Sequence, residues 1–267
     1  MLPILFSIGP VHIYSYGLMI AIGILVAYSL VERKFRKFGL ENGRLEWLFF
    51  SVIGGGFLGS KLLYWITRLP DIPNDPTILT NLGDGWVVYG GIIGGFIAGW
   101  IYCKNHGMDF WQIFDLVIPN VALAQGFGRI GCFLAGCCYG VEMESFGIVF
   151  PVNSLAPSGV SLFPSQLIMS AFDFGLFFFL EWFTSKKKFK GEVGAIYLLA
   201  YSFGRFIIEF FRGDLVRGVV NGLSTSQYIS ILTAIVGIAV IFVGRKRSKE
   251  NHERFFFLIK KNSFWTM

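Results

Sequence analysis

The chain has 267 residues, 54% of them hydrophobic, 18% aromatic and only 15% charged, against about a quarter charged in soluble domains. Together with a mean hydropathy of +0.61, this excludes an ordinary soluble enzyme. Apolar runs of about 20 residues, instead of alternating segments of about ten, exclude a membrane β-barrel. The formal net charge of +6 is dispersed over loops instead of gathered on one folded face, which excludes a nucleic-acid surface.

The pattern predicts an all-α, polytopic membrane bundle of about seven transmembrane helices, near 11–31, 46–67, 84–103, 110–128, 162–183, 193–212 and 226–244. The first is not a secretory signal, because nothing basic precedes it and the arm 32–37 reads as a stop. Ser51, Gly55 and Gly59 recur every fourth residue, as do Gly91, Gly95 and Gly99, which predicts close helix packing. Segments 69–86 and 139–161 read as outer loops, the first rich in Pro, Asn and Asp, the second without Lys or Arg. Residues 1–244 form one transmembrane domain. Residues 245–267 form a basic, aromatic cytoplasmic tail, with Phe255, Phe256, Phe257, Phe264 and Trp265 suited to an anionic lipid interface. Gly90 to Gly95 lacks the strand–turn–helix setting of a phosphate loop.

Loop charges orient the bundle. With the N-terminus outside, the inner segments carry Arg33, Lys34, Arg36, Lys37, Arg44, Lys104, Lys186, Lys187, Lys188, Lys190 and the basic tail, and the outer segments only Arg68, Arg212 and Arg217. That asymmetry predicts N-terminus out and C-terminus cytoplasmic. Polar residues then converge in depth. Tyr16, Tyr89, Arg129 and the Arg205, Glu209, Arg212 series all fall towards the outer leaflet, and the last three share one helix face. Arginine at membrane depth faces a partner or a polar cavity. Two arginines with tyrosine hydroxyls suit a phosphodiester headgroup, because guanidinium pairs bidentately with phosphate and stays charged when desolvated.

Other polar residues read differently. Cys132, Cys137 and Cys138 admit three readings: zinc ligands, a nucleophile or small packing residues. Zinc lacks a fourth ligand, since His106 falls on the inner side and His12 has no ligand spacing to them, so packing is favoured and no metal is expected. Leu134-Ala135-Gly136-Cys137 matches a lipobox by chance, being mid-chain. Asp115 and Glu181 sit near inner ends and need no special role, whereas Asp173, deeper, hints at an ion path and is a conceivable partner of Lys61.

These motifs resemble the prolipoprotein diacylglyceryl transferases, bacterial inner-membrane enzymes, over nearly the whole chain. The resemblance rests on Ser7-Ile8-Gly9-Pro10 with Tyr16-Gly17-Leu18-Met19, on Gly90-Gly91 with Ile93-Gly94, on Gly128-Arg129-Ile130-Gly131-Cys132-Phe133 through Gly140, on Phe163-Pro164-Ser165-Gln166-Leu167, and on Tyr201, Arg205, Glu209, Phe210, Phe211 and Arg212. It implies transfer of a diacylglyceryl group from phosphatidylglycerol to the lipobox cysteine in a prolipoprotein signal peptide, with release of glycerol phosphate, at a site facing the outer leaflet. It implies no cofactor; the partners are those two substrates and membrane lipid, not nucleic acid. Arg129 and Arg205 would hold the phosphate and stabilise it as it leaves, Tyr16 and Tyr201 would line the lipid site, and Glu209 would orient Arg205. Gly90, Gly91, Gly131, Cys132 and Gly140 would border the substrates.

The chain departs from the family pattern at the usual histidine, here Tyr89, and at the usual Asn, Asn and Glu, here Cys132, Ala135 and Cys137. A tyrosine, with an ordinary pKa of about 10, is a poor base, so Tyr89 serves as a catalytic group only if a phosphate-paired arginine activates it or the thiol. Two other readings stay open: a paralogous transferase with a different acceptor, and a lipid or ion transporter in which Asp173 and Lys61 matter more than Arg129.

Overall fold

The computed structural model describes residues 3–9, 11–39, 42–81, 83–213 and 219–263. Eight helices carry the described fold, of which five are long and apolar enough to cross a membrane: Ser15–Lys37 (α1), Gly43–Thr67 within Asn42–Thr67 (α2), Phe110–Ala135 (α5), Ser165–Thr184 (α6) and Thr225–Lys249 within Thr225–Ser263 (α8). The expected third and sixth spans are also helical, Val88–Asn105 (α4) and Glu192–Glu209 (α7). They fall outside the five because α4 ends in Lys104 and Asn105 and α7 carries Glu192, Arg205 and Glu209. A short helix, Thr77–Thr80 (α3), lies in the 69–86 segment.

Several ends differ from expectation. The first helix starts at Ser15, not 11, because Ile4–Ile8 (β1) and Val11–Tyr14 (β2) form an antiparallel hairpin, turned at Gly9 with φ +60°. α5 continues to Ala135, so Arg129 lies inside the helix, not at its end. Pro119 is accommodated within α5; it removes one ladder hydrogen bond, to the carbonyl of Asp115. The helical backbone of α8 runs to Ser263; Arg217, Phe264, Trp265 and the side chains of Phe255, Phe256 and Phe257 lie outside the description.

The chain divides into two compact units, Met1–Val31 with Phe114–Met267, and Glu32–Ile113. The second unit is built on α2 against α4. A Cβ on Gly94 would stand 2.2 Å from the Gly55 carbonyl oxygen and 2.9 Å from Gly59 Cα, and one on Gly90 would stand 2.3 Å from the Gly59 oxygen. In lipid, where burial of apolar side chains drives little, such backbone approach is what holds helices together. The closest seam therefore uses Gly90 and Gly94; Gly91, Gly95 and Gly99 approach α2 less tightly, at 3.3–3.4 Å.

The first unit packs α5, α6, α7 and α8. Its core holds Ile118, Ala122, Leu123, Leu176, Phe177, Leu180, Val193 and Tyr197. The 139–161 segment carries a two-stranded ribbon, Ile148–Val149 (β3) with Ser161–Leu162 (β4), over a small core of Phe150, Ala156 and Leu162. A second ribbon, Val219–Val220 (β5) with Leu223–Ser224 (β6), leads into α8.

Candidate active site

The end of α5 shapes the centre of the first unit. Gly136 adopts φ +75°, a conformation glycine takes without strain, and stops the helix. Its N–H donates to the Phe133 carbonyl at 3.2 Å, and the Cys137 N–H donates to the Cys132 carbonyl at 3.0 Å, the bond pair of a Schellman terminus. That second bond sets Cys137 beside Cys132. Cys138, itself at φ +60°, completes a cluster whose three Sγ atoms lie within 4.8 Å of one another. None of the three is joined in a disulfide. The start of α6 pins this turn: Ser165 Oγ donates to the Cys138 carbonyl and Gln166 Nε2 to the Cys137 carbonyl, both at 2.8 Å.

Beyond the cysteines the chain threads a crowded seam. Gly140 N–H donates to Phe163 O, Val141 N–H to Phe211 O and Gly213 N–H to Tyr139 O, at 3.0, 3.0 and 3.1 Å. A Cβ on Gly140 would stand 2.6 Å from the carbonyl oxygens of both Phe163 and Phe211, so the position tolerates only glycine. The seam ties Arg212, at the end of α7, to the cysteine turn through the Gly140–Arg212 bridge. Hydrogen bonds from the Cys132 and Cys137 thiols, and behind them the charges of Arg212 and Arg129, hold the Cys138 thiol below its ordinary value against its burial.

Arg129 lies one turn before Cys132 on α5. It hydrogen-bonds Tyr201 of α7 and is within electrostatic reach of Asp173 and Cys132. Tyr201 stacks on Tyr197 at a centroid distance of 5.6 Å, and Tyr197 donates to Gln125 at 2.7 Å. Arg205 senses Glu209, Arg212, Arg129 and Tyr201. Its Nη2 lies 2.7 Å from Glu209 Oε2 and donates to Ser226 Oγ at 3.0 Å. Glu209 Oε1 accepts from Ser224 Oγ at 2.9 Å, and Arg212 Nε lies 4.0 Å from Glu209 Oε2. Ser224 and Gln227 bond each other's backbone N–H groups, at 3.2 and 2.9 Å, a capping box that fixes the first turn of α8. Tyr16, in the first turn of α1, senses Cys132, Cys137, Cys138 and Arg129. It is held there by close packing, since a Cβ on Gly131 would stand 3.2 Å from Tyr16 Cα.

Three guanidiniums thus gather around Glu209 and the buried Asp173, whose oxygens have no hydrogen-bond partner. The group is net positive whether or not Asp173 is ionised, so it suits a phosphate-bearing ligand. The first unit brings together Tyr16, Arg129, Gly131, Cys132, Gly140, Tyr201, Arg205 and Glu209. Tyr89, Gly90 and Gly91 belong to the second unit, where Tyr89 is 42% exposed in the first turn of α4 and Gly90 packs on α2.

Some structural roles escaped the sequence. Asp115, which seemed to need none, is fully buried and accepts from Lys187 Nζ at 2.9 Å and from the Gly191 and Gly194 N–H groups at 2.8 and 3.1 Å. It satisfies donors at the start of α7 that no residue of α7 itself reaches. The Lys61 ammonium donates to the Asn81 and Asp84 carbonyls at 2.6 and 2.7 Å and clasps the 69–86 segment to α2. The Ser224-Thr225-Ser226-Gln227 pattern is the one available signal for the α8 contribution.

Known proteins supply the family. Residues 3–243 match the family model described as prolipoprotein diacylglyceryl transferase. The chain is 47% identical over 250 residues to the phosphatidylglycerol–prolipoprotein diacylglyceryl transferase of Clostridium tetani, covering 93% of this chain and 100% of that one. It is 44% identical over 254 residues to a second such transferase from Clostridium perfringens, covering 94% and 99%. It is 32% identical over 252 residues to that of Staphylococcus haemolyticus, covering 91% and 88%. With the arginine-rich site and these relatives together, the chain belongs to the prolipoprotein diacylglyceryl transferase family.

Proposed function

We propose that this protein transfers a diacylglyceryl group from phosphatidylglycerol to the lipobox cysteine thiol of a prolipoprotein, releasing glycerol phosphate. It does so as a multi-pass protein of the bacterial inner membrane, with seven spans, the N-terminus outside, the C-terminus cytoplasmic and the site towards the outer leaflet. The loop charges and the depth of Arg129 and Arg205 support that placement.

The observation that carries the reading is the meeting of Arg129 and Arg205 from separate helices around Tyr201. Arg129 and Arg205 hold the headgroup phosphate and stabilise the charge that develops on it as the carbon–oxygen bond breaks. Glu209, braced by Ser224, keeps Arg205 from turning away. Tyr16 and Tyr201 border the glyceryl backbone, and the acyl chains remain in the lipid. The acceptor thiol reacts as its thiolate.

The test is mass spectrometry of a lipobox peptide incubated with the purified protein and phosphatidylglycerol. A diacylglyceryl adduct on the peptide cysteine, absent with Arg129→Ala, is expected. A folded wild-type protein that binds phosphatidylglycerol and yields no adduct would refute the reading.

A further inference from the structure

We propose that Cys132, Cys137 and Cys138 hold a zinc ion, and that its fourth position takes the thiol of the acceptor cysteine. The acceptor half of this inference rests on the transferase reading; the metal half rests on the sulfur cluster.

Four observations carry it. The first is geometric. Zinc–sulfur bonds of about 2.3 Å set tetrahedral sulfur–sulfur edges of about 3.8 Å, and the three Sγ atoms lie within 4.8 Å of one another, so small thiol rotations close the site. The second is preorganisation. A Schellman turn brings residues 132 and 137 together, and Ser165 and Gln166 fix the carbonyls of residues 137 and 138. The third is surroundings. Packing cysteines sit among apolar side chains, whereas Cys137 and Cys138 are only partly buried and face Arg129, Arg212 and Tyr16. Three thiolates with a dication carry a net negative charge, which these arginines offset.

The fourth observation is the ligand count. Among the described residues the cluster offers three ligand atoms. That shortfall spoke against zinc from sequence. It becomes an argument for it when the reaction needs a thiol at the open place, since catalytic zinc keeps three protein ligands and one exchangeable position. A free thiol of ordinary pKa is mostly protonated at neutral pH, and a thiol bound to zinc is deprotonated outright. This supplies the activation that Tyr89 provides poorly in place of the family's histidine.

The step balances as follows. The acceptor thiol binds the ion and loses its proton to water. Its sulfur lone pair forms a bond to the glyceryl carbon that carries the phosphate oxygen. The carbon–oxygen bond breaks, and glycerol phosphate leaves with that electron pair against Arg129. Nothing is oxidised or reduced. Arg129 is within electrostatic reach of both Cys132 and Cys138, so the phosphate it holds lies beside the sulfurs.

The test uses the full-length purified protein with cobalt(II) as a spectroscopic substitute for zinc. One equivalent should give a near-ultraviolet thiolate-to-cobalt band, displaced by zinc, and weakened at least 100-fold in affinity by Cys132→Ser, Cys137→Ser or Cys138→Ser but not by Cys103→Ser in α4. A cysteine-containing signal peptide, without phosphatidylglycerol, should raise the band by about a third as a fourth thiolate joins, whereas its serine analogue should not. Absence of the band, indifference to the peptide, or undiminished glycerol phosphate release from chelator-stripped protein would each overturn the proposal. A band that responds to the peptide in a zinc-binding protein that releases no glycerol phosphate would uphold the metal site and count instead against the transferase reading.

Discussion

Asp115 gives the sharpest stability prediction. Its carboxylate is fully buried and serves three donors: Lys187 Nζ and the N–H groups of Gly191 and Gly194. Asp115→Ala strands all three. Lys187 is 25% exposed and regains water, so its loss is discounted. The two backbone donors lie at a buried helix start, and each unsatisfied donor costs about 1–3 kcal/mol. Removing the anionic group from the positive end of α7 adds about 0.5 kcal/mol. The total is about 2.5–6.5 kcal/mol, a range that brackets the loss expected when a buried ion pair loses one partner. In a protein of this size that lowers the unfolding midpoint by about 10 °C. Lys187→Met leaves the carboxylate its two backbone donors and should cost less than Asp115→Ala. Asp115→Asn should fall between, keeping one acceptor and turning an amide N–H towards a donor. Circular dichroism melts of the protein in detergent measure all three. Equal losses from Asp115→Ala and Lys187→Met, or a loss below about 1 kcal/mol from Asp115→Ala, would show that the backbone donors are not what the carboxylate is for.

Three further outcomes are expected. Glu209→Gln keeps the shape but weakens the hold on Arg205, so kcat for glycerol phosphate release should fall at least tenfold with an unfolding midpoint within a few degrees of wild type; unchanged kcat would remove Glu209 from its orienting role. Gly94→Ala places a methyl 2.2 Å from the Gly55 carbonyl oxygen, backbone against backbone, and should destabilise the α2–α4 pair by about 3 kcal/mol or more; a thermal melt unchanged from wild type would contradict the close seam. Tyr89→Phe should retain transfer within about tenfold, because a metal-bound thiol needs no tyrosine base; complete loss, with phosphatidylglycerol still bound, would favour tyrosine as the base.

The helices were legible because membrane spans announce themselves as long apolar runs, and each expected span overlaps a helix. Their ends were less so. Val11-His12-Ile13-Tyr14 is apolar enough to merge with α1, yet it pairs with Ile4–Ile8, and hydropathy does not distinguish a strand from a first helical turn. α5 was expected to stop near Gly128, but glycine inside a helix costs only about 1 kcal/mol; the residue that stops it is Gly136, through its left-handed backbone. The convergence of Arg129 and Arg205 was readable from direction and depth. That of the cysteines was not. Spacings of five and one match no metal-ligand rule, and they come together only through the Schellman bond and the turn after it. Asp115 was missed because distance from the membrane centre made a charge there look cheap, although two of its three partners are backbone groups with no sequence signature.

The pairing of α5 with α7 connects these points. Contacts between α5 and α7 climb in parallel: Asp115 with Gly191, Gln125 with Tyr197, Arg129 with Tyr201. Arg129 lies fourteen residues after Asp115, and Arg205 lies fourteen after Gly191. At about 1.5 Å per helical residue, each arginine stands about 21 Å along its own helix from the same buried anchor, and Arg205 lies one turn beyond Tyr201, the partner of Arg129. Phosphate clamps need side chains placed to within a fraction of an ångström, and a slip of one residue would rotate either arginine by about 100° off the site. The carboxylate at one end of the helix pair therefore sets the geometry at the other. The capping box of α8 and the glycine seam at Gly140 then brace Arg205 and the cysteine turn against it. On this account an Asp115 variant that still folds should lose transfer activity without any substituted residue touching the substrate, and Arg129→Ala should lose it without any change in melting. Those opposite signatures separate the frame from the chemistry it holds.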